Sequence, residues 1–492
     1  MIRLILLMTL ATLVTAPAGC GAPPKGPATT ARATTTDDDW RSQRPASGPP
    51  AELHYPSPDL YRLDNGLTVV LLQRPAGVTS VSLVIKRFAG LLPPGKSGLD
   101  ALTTRMLSEG TSRRTSLELA EAIADLGTTL EYETGRDATR LSLLVLPQDV
   151  EPALELLADM AQRPAFDERD FARVRTEWLD GLRAERQNPM RLASLAGLRL
   201  ALGEQHGGPI QGSLVDVEGL AVRDLVSYHA RAFAPQNSAL VVVGDVEWPM
   251  VRAAASRHFD GWRCATGSEP PVQPLPAAPA QPRIALVDRP DAVQTALFVI
   301  QPFPARSASG HEARQVLSGL LGGLFTSRIN QNLRERHGYT YGASTRAVAT
   351  REWGALIVTT AAETKHTAAA LWEILSELRQ AKTPALGRPI EVAEVDRAKA
   401  GLRGSLAENL LTVDAVASDL AELFEFDLDR EYYSHYGQTL ATISAQQVQL
   451  EASRHLTPEH VVVVAVGDRA SVESNLRIEG VTVETATAAL LR

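Results

Sequence analysis

The sequence predicts an α+β protein of two similar domains, each a mostly antiparallel sheet covered by helices, joined by a proline-rich linker. Two pairs of segments repeat along the chain, helical patterning fills the space between them, and a proline-rich stretch divides the chain near its middle. At 492 residues the chain is too long for one ordinary hydrophobic core, so more than one domain is expected.

The repeats predict the strands of the two domains. Residues 71–85, LLQRPAGVTSVSLVI, align with residues 286–300, LVDRPDAVQTALFVI, at an offset of 215. Both contain β-branched runs on either side of an Arg-Pro turn, so we interpret each as two paired strands. Residues 234–245 align with residues 457–468 at an offset of 223. Two matches at nearly one offset indicate an internal duplication.

Helical patterning lies between the repeats in both halves. The predicted helices are residues 117–126, 152–163, 168–185 and 191–202 in the first half, and 310–336, 367–382 and 391–411 in the second. Strands separated by groups of helices, without strict alternation of strand and helix, favour helices packed on one mostly antiparallel sheet per domain.

Changes in composition set the predicted boundaries. Residues 21–50 are rich in Ala, Thr, Pro, Gly and Asp and have little to bury, which is typical of a disordered tether. The proline-rich stretch at 270–282 is typical of a semi-rigid linker. The predicted organisation is a signal peptide (1–20), a tether (21–50), an N-terminal domain (51–262), a linker (263–283), a C-terminal domain (284–472) and a tail (473–492).

The N-terminus has the features of an export signal. A charged start is followed by an apolar run at 4–14 and by the small residues Ala18 and Gly19 before Cys20. Eleven residues are too few to span a bilayer. This pattern resembles a bacterial lipoprotein cleavage site, which implies lipidation of Cys20 and a place in the cell envelope. Gly21 favours the outer membrane, facing the periplasm; simple secretion and an uncleaved anchor are the alternatives.

Charge and cysteine content exclude other classes. The formal net charge is −8 and no Lys/Arg cluster offers a stripe for phosphates, so nucleic acid is not an expected partner. Cys264 is the only cysteine besides Cys20, so lipidation of Cys20 leaves no pair for an intrachain disulfide.

Residues 98–111, GLDALTTRMLSEGT, have the frame of an H-x-x-E-H zinc helix, in which two histidines bind the metal and the glutamate activates water. Ala101, Thr104 and Arg105 occupy those three positions. A methyl group, a hydroxyl and a guanidinium do not hold a divalent cation, and none is a general base near neutral pH. We therefore expect no metal in this chain and no peptide cleavage by the chain alone.

Much of the surrounding sequence resembles the M16 metallopeptidases, the family of mitochondrial processing peptidase and pitrilysin. The resemblance begins at residues 61–71, YRLDNGLTVVL, ends at residues 463–468, VVAVGD, and covers about four fifths of the chain. It implies two M16-type domains, and halves of this kind that face one another across a substrate chamber.

The segment around Glu177 resembles the family helix whose glutamate is the third zinc ligand. Glu177 follows Arg105 by 72 residues, close to the family spacing. With the other ligands replaced, one hypothesis is an ion pair between Glu177 and Arg105. The alternative is an ordinary solvated helix carboxylate.

Residues 320–344 resemble the family's C-terminal half, including an arginine and a tyrosine seven positions apart, here Arg334 and Tyr341. The resemblance implies that the tyrosine donates to the substrate carbonyl as it becomes an oxyanion. It also implies that the arginine holds nearby main-chain carbonyls of a substrate bound at the zinc half. The alternative is that the arginine complements the helix dipole and the tyrosine packs at a strand edge.

The same segment has a simple structural interpretation. The pattern predicts a helix over 320–337 that ends at Gly338, followed by a strand starting at Tyr341. Gly322 and Gly323 lie inside the helical pattern without a P-loop lysine, so they indicate close packing or a bend and not a phosphate loop.

Three functional hypotheses follow. Some bacterial M16 enzymes are heterodimers in which one chain keeps the zinc motif and the other the Arg/Tyr pair, and this chain has the second pattern. The first hypothesis is a non-catalytic partner subunit of an exported zinc peptidase, with peptide substrate, a zinc-motif-bearing M16 subunit and the membrane as partners. Zinc is then expected in that subunit, and no cofactor in this chain.

The second hypothesis is a catalytically dead M16-like lipoprotein that binds peptides or organises a complex, as related core subunits of respiratory complexes do. The third is a hydrolase with another nucleophile. No G-x-S-x-G elbow or Cys/His pair supports the third.

Overall fold

The computed structural model describes residues 54–264, 274–476 and 481–486. The predicted signal peptide, Cys20 and the whole predicted tether lie outside these ranges, as do residues 265–273 of the predicted linker. None of the helices in these ranges has the length and apolar character needed to cross a bilayer.

Two six-stranded sheets are present in the described residues. The first contains β1 (Asp59–Arg62), β2 (Thr68–Gln73), β3 (Thr79–Lys86), β4 (Glu131–Thr134), β5 (Ala138–Val145) and β6 (Ser238–Gly244). The second contains β7 (Arg283–Asp288), β8 (Gln294–Phe303), β9 (Thr340–Ala349), β10 (Gly354–Glu363), β11 (Val462–Gly467) and β12 (Thr482–Thr485).

Helices surround both sheets. Those of the first domain are α1 (Leu99–Met106), α2 (Ser116–Asp125), α3 (Val150–Gln162), α4 (Glu168–Glu185), α5 (Pro189–Gly207), α6 (Leu214–Glu218), α7 (Val222–Ala232) and α8 (Trp248–Phe259). Those of the second are α9 (His311–Ser318), α10 (Arg328–Asn330), α11 (Thr367–Lys382), α12 (Val392–Asn409), α13 (Val413–Glu425), α14 (Tyr432–Thr442), α15 (Ala445–His455) and α16 (Arg469–Leu476). The predicted α+β class with two similar domains is confirmed.

The strand order is β1-β2-β6-β3-β5-β4 in the first sheet and β12-β7-β11-β8-β10-β9 in the second. β6 is parallel to β2 and antiparallel to β3, and β11 has the same relation to β7 and β8. The prediction that the two strands beside each Arg-Pro turn pair with each other is therefore wrong. The last long strand of each domain inserts between them, because β6 and β11 are buried along their whole length and need a neighbour on both edges.

The second sheet also uses residues that were interpreted as a tail. β12 pairs in parallel with β7, and the Val483 side chain packs against the core of the domain. The tail interpretation is wrong for these residues because their backbone hydrogen bonds and their apolar side chain complete the sheet.

Each sheet is covered on one face by helices of its own domain and on the other face by a helix of the other domain. Ala193 and Ala196 of α5 pack with Phe298 and Val464 of the second sheet. Gly197 of α5 lies so close to Phe298 that a Cβ atom would meet its ring. This glycine therefore lets the helix lie directly on the sheet.

The two domains exchange covering helices: α5 of the first domain covers the second sheet, and a helix of the second domain covers the first sheet. Val416 and Leu420 of α13, a helix of the second domain, pack with Val70 and Val241 of the first sheet. Without these two helices, each sheet would expose an apolar face to water. The two domains therefore interlock and do not merely touch.

Hydrogen bonds between the two domains accompany this apolar packing. The Tyr55 hydroxyl donates to Asp419 Oδ2 at 3.1 Å, and the Arg351 backbone N–H donates to Asp137 Oδ1 at 2.9 Å. Both contacts join the first domain to the second.

Candidate functional site

The frame at Ala101, Thr104 and Arg105, interpreted from the sequence as an emptied zinc site, lies on α1, and its side chains are buried or make contacts. Ala101 and Thr104 are 4% and 1% exposed. The Thr104 hydroxyl donates to the Asp100 carbonyl at 2.9 Å and accepts a hydrogen bond from Thr134 of β4 at 3.1 Å. The frame thus presents a methyl group and an already bonded hydroxyl where a metal would need lone pairs.

Arg105 occupies the remaining position of the frame and does not pair with Glu177. Its guanidinium forms an ion pair with Glu109, one turn further along the chain. Arg173 of α4 contacts both Glu109 and Glu177, the latter at 3.1 Å. The hypothesis of a direct Arg105–Glu177 ion pair is wrong, because Arg173 lies one helical turn before Glu177 and takes its carboxylate.

The four side chains form a charge chain that links α1 to α4 in the order Arg105, Glu109, Arg173 and Glu177. Glu109 is buried and contacts two guanidiniums, whereas Glu177 is 57% exposed at the outer end. Glu177 is thus a helix carboxylate held by Arg173, close to the alternative interpretation.

The donor set does not fit zinc. Ala101 has no lone pair and the guanidinium of Arg105 only donates. In the ranges that the structure describes, no group of three or more His, Cys, Asp or Glu side chains could hold a metal ion.

A buried ion pair joins α1 to the residue that follows β3. Asp100 is fully buried and pairs with Arg87, which is itself buried. Arg87 Nη1 also donates to the Arg136 carbonyl at 3.0 Å. Burial and the nearby Arg87 charge lower the pKa of Arg136 to about 10, so Arg136 stays charged at neutral pH.

In the second domain, the helix predicted over 320–337 is interrupted. α9 continues into a π-helical turn, Gly319–Gly323, and then Leu324 adopts an extended backbone before α10 begins at Arg328. Gly322 lies against Thr345 of β9, leaving no space for a side chain. The predicted close packing is confirmed at Gly322, and the chain leaves the helical path directly after Gly323.

Arg334 lies in a second π-helical stretch, Gln331–Arg336, and its guanidinium is held on two sides. Nε donates to Glu335 Oε1 at 2.7 Å, and Nη2 donates to the Phe325 carbonyl at 3.1 Å. The guanidinium carbon lies 3.4 Å from the centroid of the Phe325 ring. The charged group is therefore fixed before any ligand binds.

Tyr341, in contrast to the held guanidinium of Arg334, is exposed to solvent. The helical segment ends at Gly338, whose φ of 66° is in the left-handed region, as predicted. β9 follows at once and forms the edge of the second sheet, and the Tyr341 side chain on it is 90% exposed. A tyrosine packed at a strand edge would be covered, so packing does not account for this one.

Backbone hydrogen bonds close the end of the helical segment that carries Arg334. The Gly338 N–H donates to the Arg334 carbonyl at 3.2 Å, and the Tyr339 N–H donates to the Leu333 carbonyl at 2.8 Å. Side-chain hydrogen bonds between Arg334 and Tyr341 are absent from the described part of the chain.

Sequence reasoning missed Phe325. The sequence predicts a continuous helix at this position. The interruption occurs where Gly322 contacts Thr345, which is distant in sequence. The ring is 71% exposed and covers the guanidinium of Arg334. The only signal was an aromatic residue two positions after the glycine pair.

Comparison with known proteins assigns both domains. Residues 68–197 match the family model of insulinase, peptidase family M16, and residues 220–402 match the model of the peptidase M16 inactive domain. A zinc protease of Mycobacterium leprae, itself uncharacterised, is 29% identical over 404 residues, which cover 80% of this chain and 87% of the relative.

Solved structures share the fold. A peptidase M16 inactive domain from Pseudomonas fluorescens superposes with a TM-score of 0.75 at 22% identity, covering 84% of this chain and 98% of that chain. A protease from Helicobacter pylori superposes with a TM-score of 0.77 at 19% identity, covering 84% of this chain and all of that one. At these identities the likeness shows the fold alone.

Proposed function

The chain belongs to the M16 peptidase family, and we propose that it is a non-catalytic partner subunit of a zinc peptidase of that family. In this proposal a second M16 subunit with an intact H-x-x-E-H motif provides the metal. This chain contributes Arg334, Tyr341 and half of the peptide chamber.

The observation that carries the proposal is the exposed side chain of Tyr341 on β9, seven residues after Arg334, whose guanidinium is held by Glu335 and Phe325. A phenol can donate a hydrogen bond to a carbonyl oxygen as negative charge develops on it. Five N–H groups belong to a guanidinium, and two of those of Arg334 are used by Glu335 and Phe325. The other three (5 − 2) are without a partner among the described residues and can hold substrate carbonyls.

In this proposal, the partner subunit supplies the metal and this chain supplies hydrogen-bond donors for the substrate. Hydrolysis of a peptide by this family's chemistry needs a metal-bound water, and the frame on α1 has no side chain to hold the metal. The donors for the oxyanion are present in the other domain. A chain of this kind therefore acts on a substrate whose metal lies in another subunit.

The proposal places the subunit in the bacterial cell envelope. It is anchored by a lipid on Cys20, in the outer membrane on the periplasmic side, and the tether at 21–50 lets the folded part reach a partner. This part of the proposal rests on the sequence of the first 50 residues.

A second candidate is a scaffold or peptide-binding lipoprotein without catalysis. The charge chain from Arg105 to Glu177 supports it, because it closes the former site with ion pairs and leaves the fold intact. The two candidates differ in whether Tyr341 affects the rate of a reaction.

The test uses residues 21–492, purified alone and mixed with a half-size M16 chain of the same cell that has an intact zinc motif. Zinc content and cleavage of a quenched fluorescent peptide are measured in each sample. We expect the chain alone to be zinc-free and inert, and the mixture to cleave. Tyr341→Phe should lower kcat of the mixture by roughly 10²-fold to 10³-fold.

Tyr61→Phe is the matched control, because it removes a phenol hydroxyl from the first domain and should leave kcat unchanged. Stoichiometric zinc with activity in the chain alone would overturn the proposal. Inertness of both samples would favour the scaffold.

A further inference from the structure

We propose that Phe325 is a positioning residue that holds the Arg334 guanidinium ready for the substrate. The inference rests on the proposed function of Arg334 and adds a residue to that site. It starts from a feature that the fold does not need, an exposed aromatic ring in the interruption of a helix.

Phe325 contacts one guanidinium in two ways. Its ring stacks on the guanidinium, with 3.4 Å between Cζ and the ring centroid, and its carbonyl accepts a hydrogen bond from Nη2 at 3.1 Å. Arginine stacks well on aromatic faces because its charge is spread over a plane and is weakly hydrated. The two contacts together restrict both the position and the tilt of that plane.

The ring contributes little to the core. Leu324 packs against the core of the second domain, whereas Phe325 is 71% exposed. A large apolar side chain left in water gains nothing from burial, so its clearest contact is the guanidinium. Removal of the ring should therefore free Arg334 and leave the fold intact.

A fixed guanidinium binds carbonyl oxygens better than a mobile one, because less rotamer freedom is lost when the substrate arrives. Glu335 constrains the Nε edge, and Phe325 constrains one face and one Nη2 hydrogen. The remaining N–H groups then keep one orientation. Loss of the ring should weaken substrate binding more than it slows the chemical step.

The first test does not depend on a partner subunit. The full chain is treated with phenylglyoxal, which modifies accessible arginines, and the rate at Arg334 is followed by mass spectrometry. We expect Phe325→Ala to increase that rate at least threefold and Phe325→Trp to keep it near the original. Arg430, which is exposed and distant in sequence, is the internal reference. An unchanged rate at Arg334 in Phe325→Ala would overturn the proposal.

The second test uses the active mixture of the two subunits. Phe325→Ala should raise KM at least fivefold with kcat within twofold, and Phe325→Trp should restore KM. Leu117→Ala removes an equally exposed apolar side chain from the first domain and is the control. A fall in kcat at unchanged KM would contradict a positioning role.

The two tests separate two kinds of failure. If the mixture of unmodified subunits does not cleave peptide, the proposed function fails, and the labelling rate still decides whether Phe325 holds Arg334. If the mixture cleaves but neither the labelling rate nor KM responds to Phe325→Ala, only the role of Phe325 fails.

Discussion

The two domains have the same order of their five shared strands but present different side chains to a ligand. In the first domain, the frame on α1 is closed: Thr104 is bonded to neighbouring oxygens and Arg105 is paired with Glu109. In the second, Tyr341 is exposed to solvent, and Arg334 is held by Glu335 and Phe325 while its other N–H groups have no partner among the described residues. After duplication, the sheets stayed alike while their surfaces diverged.

This difference indicates how each domain is constrained. The sheets and the exchanged helices α5 and α13 serve both cores at once, so neither domain can change them alone. The side chains of the frame on α1 and of the charge chain make contacts within the first domain alone. We infer that the first domain is kept for architecture and the second for contact with a ligand.

The largest expected loss of stability comes from breaking the buried ion pair between Asp100 of α1 and Arg87. Asp100→Ala leaves Arg87 buried without its carboxylate, and we expect the free energy of unfolding to fall by roughly 3 to 5 kcal/mol. Urea denaturation measures it. Glu394→Ala, which removes the partner of buried Arg328 in the second domain, is the parallel variant and should cost a similar amount. A loss below about 1 kcal/mol in Asp100→Ala would show that the pair is not structural.

The next effect tests the interlock. Leu420→Ala on α13 and Leu202→Ala on α5 each remove a buried side chain and should cost roughly 2 to 5 kcal/mol. Because each helix covers the other domain's sheet, hydrogen exchange should show reduced protection of both β3 and β8 in either variant. Reduced protection in a single sheet would mean that the domains unfold independently.

A pH effect of intermediate size is expected at Glu425 of α13. Burial, and then the carboxylates of Asp137 and Glu422, raise the pKa of this side chain to about 7. Because the folded state holds the proton more tightly, stability should fall as pH rises from about 4.5 to about 7. Glu425→Gln should gain roughly 1 to 3 kcal/mol at pH 8, after allowance for partial exposure, and nothing at pH 4. Equal gains at both pH values would assign the effect to packing and not to charge.

The smallest effect is expected at the outer end of the charge chain. Glu177→Ala removes an exposed ion pair and should change the free energy of unfolding by at most about 0.5 kcal/mol. Tyr341→Phe, the matched surface change in the second domain, should be equally neutral for stability. If Glu177→Ala lowered the free energy of unfolding by more than about 2 kcal/mol, the charge chain would stabilise the fold, and the difference between the two domains would be smaller than we infer.

Local patterns predicted much of the fold. The bounds of α4 and α11 agree with the predicted helices, because their apolar periodicity is uninterrupted. The repeats located the paired positions of β2, β3 and β6 with β7, β8 and β11. Strand order was not predictable from these patterns, since β6 joins β2 across more than 150 residues and no local signal encodes that contact.

The site was predicted less completely. The empty frame at Ala101, Thr104 and Arg105 could be identified from the sequence, because residue types alone decide whether a metal can bind. The partners of Arg105 and the contact of Phe325 with Arg334 could not. The sequence offers Arg105 two carboxylates, Glu109 four positions further on and Glu177 on another helix, and only the structure decides between them. The contact of Phe325 with Arg334 depends on the helix interruption.

The exchanged helix α13 also bears on how the chain is made. The first sheet is completed only by β6, which ends at Gly244, and the helix that covers its outer face starts at Val413, 169 positions later (413 − 244). At about 5 to 20 residues per second, a ribosome needs roughly 8 to 34 s to produce that helix. During this interval the first domain carries an uncovered apolar face that a chaperone or another chain can bind. A fragment that stops at the linker would keep that face uncovered permanently, so the two domains mature as one unit.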